Sequence, residues 1–164
     1  MARRKDQAAA RDAIVTATLV AIRDRGLAAL RIADIAAIAD VSTGTIHYYF
    51  TDFETLLKEV HRLASDRFYA ARLREVSSLA DARDRLRAMI SAGLPRSGDD
   101  ALVSALYQLD SHLGLRDDHA ILVTALFDKQ VALYMGILDV GVAQGHFTLT
   151  EPSVDIAANL VTLE

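Results

Sequence analysis

Apolar residues recur at the helical spacing of three and four positions along most of this chain. Every segment with a clear period has the helical one, and none alternates with the period of two that marks a half-buried strand. The composition agrees, because the chain is rich in alanine and has only two prolines, which favours helices. The pattern therefore predicts an all-α protein.

The most informative pattern is the stretch RIADIAAIADVSTGTIHYYF, residues 31–50. It predicts two short helices joined by a tight turn. Ser42 is suited to cap the second helix, because its hydroxyl can accept a hydrogen bond from an unpaired amide of the first turn. The residues expected on the inner faces of the two helices are Ile32, Ile35, Ala36 and Ala39, then Ile46 and Phe50. Such an arrangement predicts a helix-turn-helix.

The outer face of the second helix carries small residues first and aromatic residues later. Small residues let a helix approach the major groove, and threonine can contact a phosphate, a base edge or a thymine methyl. Ring donors further along suit the sugar-phosphate walls. In order, these residues are Thr43, Gly44, Thr45, His47, Tyr48 and Tyr49. From the bare pattern, a helical hairpin whose tyrosines simply pack is an equally open alternative.

Residues from about Ile14 to Leu57 resemble the TetR (tetracycline-repressor type) family of transcriptional regulators. The resemblance rests on Gly26, Asp34-Ile35-Ala36, Val41-Ser42, Gly44-Thr45-Ile46, Tyr48-Tyr49-Phe50 and Leu56-Leu57. It implies a homodimer that binds a palindromic operator through the helix-turn-helix. It also implies release, as a repressor, when a small molecule occupies a cavity in the helical domain that follows. The expected DNA contacts are Arg31, Ser42, Thr43, Gly44, Thr45, His47, Tyr48 and Tyr49.

Three departures from the family pattern concern the details of operator contact. Arg31 stands where the family usually has Thr or Ser; arginine cannot cap a helix, but it can reach a phosphate. The family commonly carries a lysine two or three residues after the Phe, where it contacts the DNA backbone, and the segment Thr51-Asp52-Phe53 has none. His47 stands where Tyr is usual, and Tyr49 where His is frequent.

Charge and composition fit a DNA-facing N-terminal part in a mildly acidic chain. The first 75 residues carry two more basic than acidic residues, although the net charge of the whole chain is −4. Arg3, Arg4 and Lys5 form a basic tip that can lie along phosphates, although such tips are more often simply solvated.

The absence of cysteine agrees with a cytoplasmic location. No uninterrupted apolar run suggests a membrane span, and no signal peptide is recognised.

The remaining helices are predicted from apolar residues at helical spacing and from residues that can cap a helix. We expect a first helix over residues 6–25, ended by Gly26. Thr51 and Glu54 match a capping box for a long helix to about Val76, with Ala71 and Leu73 on its inner stripe. Further helices are expected over residues 79–92, from Ser97 to 113, 117–143 and from 150 onward. The predicted domains are a DNA-binding domain, 1–52, and a ligand-binding and dimerisation domain, 53–164.

The last two predicted helices are apolar on more than one side, which calls for cover from more than one side. A second copy of the chain can provide it as a four-helix isologous interface. The alternative is that the same residues close the core of the single chain. The expected contributors are Phe127, Val131, Tyr134, Met135, Leu138, Ile156 and Leu160.

An effector cavity needs apolar walls with a few polar groups. The candidates are Met89, Tyr107, Asp110, His112, Phe127 and Tyr134. Tyr107 and Asp110 are three positions apart, so one helix face can present a hydroxyl and a carboxylate together. The identity of the effector is not readable from the sequence.

Catalytic and metal-dependent functions have little support. His112, Asp117, Asp118 and His119 have a loose metal-ligand spacing, but they straddle a helix break where acidic residues serve as caps, so no metal or cofactor is predicted. No nucleophile elbow, phosphate-binding glycine loop or HExxH motif occurs, so no enzyme is predicted. The alternative to a regulator is a helical dimer that binds a small molecule without using DNA.

Overall fold

A computed structural model describes the backbone of residues 2–94, 101–114 and 117–164, and the side chains of residues 7–94, 102–114 and 119–164. The helices are α1 (Ala2–Arg25), α2 (Ile32–Ala39), α3 (Thr43–Tyr49), α4 (Phe53–Ser77), α5 (Ala82–Gly93), α6 (Ala101–Leu113), α7 (Asp117–Ala143) and α8 (Ser153–Leu163), with a 3-10 turn at Leu27–Ala29. Within these ranges no strand occurs, which confirms the all-α prediction. Several predicted features fall outside the described side chains: the basic tip Arg3, Arg4 and Lys5, the helix start at Ser97, and the pair Asp117 and Asp118.

The chain divides into two compact units. The first comprises Met1–Ser65 with Ala101–Ala120, and the second comprises Asp66–Asp100 with Ile121–Glu164. Helix α6 therefore groups with the N-terminal helices. The predicted boundary between residues 52 and 53 separates a DNA-binding domain from a ligand-binding and dimerisation domain, and it stays a prediction.

The core of the first unit joins α1, α2, α3, α6 and the beginning of α4. Gly26 ends α1 with a positive φ of 74°, a conformation open to glycine at little cost. The amide of Leu27, the next residue, donates to Oε1 of Gln108 over 2.8 Å, which fastens the turn to α6. Leu27 and Leu30 are buried in this core.

The residue that caps α4 differs from the prediction. The carboxylate of Asp52 accepts the amide hydrogen of Thr55 at 2.7 Å, whereas Thr51 lies exposed one position earlier. The predicted capping box of Thr51 and Glu54 was therefore misplaced by one residue, because α4 begins at Phe53 and its cap must directly precede it.

This cap gives a matched pair of variants. Asp52→Ala is expected to lower the midpoint of thermal unfolding by a few degrees, whereas Thr51→Ala should leave it unchanged. The hydrogen bond from the Thr55 amide holds the pKa of Asp52 below its ordinary value. The stabilisation is therefore present above the unfolded-state pKa and is lost as the pH falls through the lower, folded-state pKa. Thermal melts at neutral and acid pH should separate the two variants only at neutral pH; equal midpoints at neutral pH would refute this assignment.

The core of the second unit is formed by α5, α7, α8 and the end of α4. Ala71 and Leu73, predicted on the inner stripe of α4, are exposed, and Arg72 between them is only 1% exposed. The inward row on this part of α4 consists of half-buried Phe68 and buried Arg72 and Val76, at steps of four residues. The prediction failed because it followed apolar residue type where the row contains an arginine.

Three of the residues predicted at the dimer interface are buried within their own unit instead. Val131, Tyr134 and Leu138 are 9% exposed or less in the single chain, so the alternative of a monomer core holds for them. Four others are only partly buried against that core, namely Phe127, Met135, Ile156 and Leu160.

One described segment, His119–Ala143, is long and apolar enough by length and composition to cross a membrane. Asp128 and Lys129 interrupt this segment, so it is not the uninterrupted apolar run that the sequence analysis found to be absent. The core helix of a soluble protein passes the same test, and this helix contributes Val131, Tyr134, Ile137 and Leu138 to the core of the second unit.

Candidate DNA-binding surface and buried polar clusters

A tight turn joins α2 and α3. Asp40 closes α2 in the left-handed conformation, with φ 53° and ψ 47°, and the amide of Val41 donates to the carbonyl of Ala36 over 3.0 Å. Aspartate is one of the few non-glycine residues that adopt this conformation readily. The chain thus reverses direction within a few residues, which gives the predicted helix-turn-helix.

The inner face of α3 holds the helix on the first unit. Ile46 is 2% exposed and Phe50 is 1% exposed, and both belong to the same core cluster as Leu56 and Leu57 of α4. These two residues are the anchors that the sequence predicted. The position of α3 is therefore set by packing from beneath rather than by contacts of its outer face.

Ser42 caps α3 as expected. Its Oγ accepts the amide hydrogen of Thr45 at 3.0 Å and lies 2.9 Å from the Thr45 hydroxyl. The cap fixes the first turn of a helix that is only seven residues long. Ser42 itself remains exposed, so its backbone position is constrained while its surface stays accessible.

The outer face of α3 is accessible. Thr43, Gly44 and His47 are exposed, and Tyr48 is exposed over 71% of its surface. Thr45 is half-buried, and Tyr49 is half-buried against the core with its ring edge-on to Tyr48 at 5.1 Å between centroids. The residues predicted to contact DNA thus form one continuous surface on a fixed helix.

Gly44 is not required by the fold. Among the described atoms, a Cβ atom at this position would meet only the Ser42 hydroxyl, at 3.6 Å, which is an ordinary van der Waals distance. Glycine inside a helix is also less stable than alanine by about 0.5–1 kcal/mol. The absence of a side chain here therefore serves no contact with the described residues of the first unit.

Arg31 precedes α2 and is exposed. Its backbone amide donates to Oδ2 of Asp34 over 3.1 Å, and Oδ1 of Asp34 lies 2.9 Å from the Arg25 guanidinium. The carboxylate of Asp34 thus supplies the capping contact that the arginine side chain cannot provide. The Arg31 guanidinium lies on the surface, as a phosphate contact would require.

The six predicted effector residues divide between the two units. Tyr107 and His112 are exposed on α6 and line a surface depression with Leu27, Ala28, Gln108 and Ser111. Asp110 is half-buried on the same helix. Met89 and Tyr134 are fully buried in the second unit, and Phe127 packs against its core.

Arg72 organises a buried polar cluster in the second unit. Its guanidinium donates to both carboxylate oxygens of Glu164, at 2.6 and 2.7 Å, and to the carbonyl of Met89 at 2.7 Å. It also donates to Oε1 of Gln130 and lies 3.4 Å from the Tyr134 hydroxyl, which itself donates to Glu164. We call Arg72, Gln130, Tyr134 and Glu164 the Arg72 cluster.

Aromatic rings enclose this arginine. The guanidinium carbon lies 5.1 Å from the ring centroid of Phe68 and 5.8 Å from that of Tyr134, within cation–π range. Burial, together with the hydrogen bond to Glu164, raises the pKa of Tyr134 well above its ordinary value, so the phenol stays protonated. The sequence reasoning missed Arg72; its signal was a basic residue at four-residue spacing from Phe68 and Val76.

A second polar cluster lies in the first unit. Nε2 of His61 is 2.9 Å from Oδ1 of Asp110, and Nε2 of His119 is 3.2 Å from the same oxygen. Both imidazoles are 1% exposed, and their rings meet edge-on at 4.7 Å. We call these three residues the histidine cluster. The sequence grouped His119 with His112 instead, and His112 is exposed.

Comparison with known proteins gives a consistent result for the N-terminal part. The family profile described as "Bacterial regulatory proteins, tetR family" matches residues 14–60. The HTH-type transcriptional regulator BetI of Burkholderia cenocepacia is 37% identical over 93 residues, which is 56% of this chain and 46% of that protein. The HTH-type transcriptional repressor KstR2 of Rhodococcus jostii is 27% identical over 133 residues, 81% of this chain and 64% of that protein.

The fold has a close structural counterpart. The crystal structure of a transcriptional regulator from Saccharomonospora viridis in complex with choline superposes with a TM-score of 0.81 at 25% identity. The match covers 95% of this chain and 81% of that one. The chain spans about half the length of the BetI proteins that it matches.

Proposed function

We propose that this chain is a transcriptional regulator that binds operator DNA through α3. The premise is that residues 14–60 match the profile of the tetR family of bacterial regulatory proteins. The observation that carries the proposal is the outer face of α3, which is exposed and polar while Ile46 and Phe50 hold the helix from beneath. A short, firmly anchored helix of this kind suits insertion into a major groove.

The residues on this surface have distinct roles in the proposal. Thr43, Thr45 and Tyr48 contact bases or the groove edge, and the absence of a side chain at Gly44 allows close approach of the backbone. Ser42 positions the first turn. The remaining contacts are made to the phosphates, by Arg31, His47 and Tyr49.

The proposed assembly is a homodimer through α7 and α8, which fits a palindromic operator. Only 22% of the most apolar window of α7 is buried within the chain. Apolar side chains on both helices remain exposed, namely Ile121, Val123 and Val142 on α7 and Val154 and Leu163 on α8. Isologous packing against a second copy would cover them.

Gly136 on α7 provides a test of this interface. A Cβ atom there meets no atom of the described residues within 4 Å, which leaves room for a side chain. Gly136→Arg is expected to convert a dimer of twice 17.9 kDa into a monomer by blocking close helix packing and burying a charge. Light scattering on the purified chain measures this, with Ser77→Arg at an exposed position of α4 as the control. A Gly136→Arg protein that keeps the parental mass would exclude this face as the interface.

The effector region that we favour is the Arg72 cluster. Met89, Phe127 and Tyr134, three of the predicted effector residues, lie in the same unit as this cluster. A small molecule with an acidic group would exchange for the Glu164 carboxylate at the Arg72 guanidinium. The regulator from Saccharomonospora viridis bound to choline supports a small-molecule response.

This function needs no catalytic step and places the protein in the cytoplasm, where the bacterial chromosome lies. Repression with release by an effector is the form of regulation that we propose, in line with the repressor KstR2.

Salt dependence tests the DNA-binding role without knowledge of the operator. Binding to a random duplex should weaken steeply as salt rises, because each neutralised phosphate contributes a slope of about −0.9 in log affinity against log salt. Selection of bound genomic fragments then supplies the operator. A chain that binds small molecules but shows no affinity for either duplex at low salt would favour the alternative of a helical ligand-binding dimer that does not use DNA.

A further inference from the structure

We propose that the histidine cluster, His61, Asp110 and His119, is a binding site for a divalent transition-metal ion of the zinc class. The three residues come from different helices, α4, α6 and the first turns of α7, and all belong to the first unit. None of the three residues belongs to α3, so the site adds a function to the proposed DNA binding and does not depend on it.

The donor atoms already converge. Nε2 of each histidine lies close to the same carboxylate oxygen, at 2.9 Å for His61 and 3.2 Å for His119, and the three donor atoms lie within 4.8 Å of one another. Ligands of a tetrahedral zinc ion, with bonds of about 2.0–2.1 Å, are separated by about 3.3 Å. Small side-chain movements are therefore enough to place an ion between the two imidazoles and the carboxylate.

The chemistry of the donors selects the class of metal. Two imidazole nitrogens and one carboxylate oxygen suit zinc, cobalt, nickel or iron(II), whereas calcium and magnesium prefer a shell made of oxygen. Three protein ligands leave a further coordination position for water or a small ligand. The sequence has no cysteine, so a thiolate site does not compete for such an ion.

The histidine cluster is buried at its two imidazoles and open to solvent at its carboxylate. The two imidazoles are 1% exposed, whereas the side chain of Asp110 is 43% exposed and opens the cluster to solvent. Among the residues whose side chains are described, Nδ1 of His61 has no hydrogen-bond partner, and the hydrogen bond of this imidazole is on its Nε2 side. The alternative is that the carboxylate simply accepts hydrogen bonds from both rings. The experiment must distinguish this hydrogen-bonded cluster from a metal-binding site.

The experiment is a calorimetric titration of the metal-free, full 164-residue chain with Zn²⁺, together with visible absorption spectra after addition of Co²⁺. We expect one equivalent of Zn²⁺ to bind with a Kd below about 1 μM, and Co²⁺ to give the intense bands of a low-coordinate site. Asp110→Asn and His119→Gln should each weaken Zn²⁺ binding by more than about tenfold and remove the Co²⁺ bands. Helical content by circular dichroism identifies a variant that has not folded, and the other variant then decides.

The matched control is His112→Gln, which removes an exposed histidine from the same helix as Asp110 and should bind Zn²⁺ like the parent chain. A parent chain that binds no Zn²⁺ at micromolar concentration would overturn the proposal and leave a hydrogen-bonded cluster. Equal affinity of the parent chain and both ligand variants would also overturn it, because the ion then binds elsewhere. Neither result bears on operator binding, which is measured with DNA.

Discussion

Replacing Arg72 by alanine is expected to lower the free energy of unfolding by about 3–5 kcal/mol. The guanidinium is 1% exposed and pairs with both carboxylate oxygens of Glu164. Removing it leaves a carboxylate that is only 10% exposed without its main counter-charge, and it leaves the Met89 carbonyl without this donor. Chemical denaturation monitored by circular dichroism measures the loss.

The matched control is Arg74→Ala, two positions along the same helix and exposed, which should change stability by less than about 0.5 kcal/mol. Replacing Arg72 and Glu164 together by Met and Leu should restore much of the loss, because the penalty comes from an unpaired buried charge. Equal stability of Arg72→Ala and Arg74→Ala would mean that the Arg72 cluster does not hold the second unit together.

Phe50→Ala is expected to have a comparable effect on the first unit, about 3–5 kcal/mol. The ring is 1% exposed, packs in the core with Ile46, and has the Arg11 guanidinium carbon 5.0 Å from its centroid. Its removal leaves a cavity beneath α3, so DNA binding should fall together with stability. Denaturation and DNA binding measured on the same preparation test this coupling.

Tyr48→Ala is the control, because Tyr48 lies two positions earlier with 71% of its surface exposed. It should keep its stability within about 0.5 kcal/mol and lose only DNA binding. A Phe50→Ala protein as stable as the parent would contradict the role of Phe50 as an anchor.

The helix-turn-helix was predictable because its determinants are local. The spacing of Ile46 and Phe50 defines an inner face, and Ser42 is a cap that acts three residues ahead. Both signals lie within one short segment, so tertiary packing had little to add. The residue that caps α4 was harder to predict, because Thr51 and Asp52 are both good capping residues. Only the position at which the helix begins decides which of them is the cap.

The polar clusters were not predictable because they depend on distant segments. His61 and Asp110 are 49 positions apart, and Arg72 and Glu164 are 92 apart. No pattern in one sequence gives the register of α6 or α7 against α4, so the meeting of His61 with Asp110 could not be inferred. The local signals were polar residues inside apolar rows, His61 beside Val60 and Ala64, and Arg72 between Phe68 and Val76. Such residues are rarely fully buried unless they are paired.

The measurement that tests the central claim most directly is the affinity of Gly44→Ala and Tyr48→Ala for an operator duplex selected by the parent chain. Both positions lie on the outer face of α3, and neither is needed for packing. We predict that each variant binds the duplex at least about tenfold more weakly, while the stability of Gly44→Ala is equal to or slightly above that of the parent. Parental affinity in both variants, with folding intact, would show that α3 does not enter the DNA and would contradict the account.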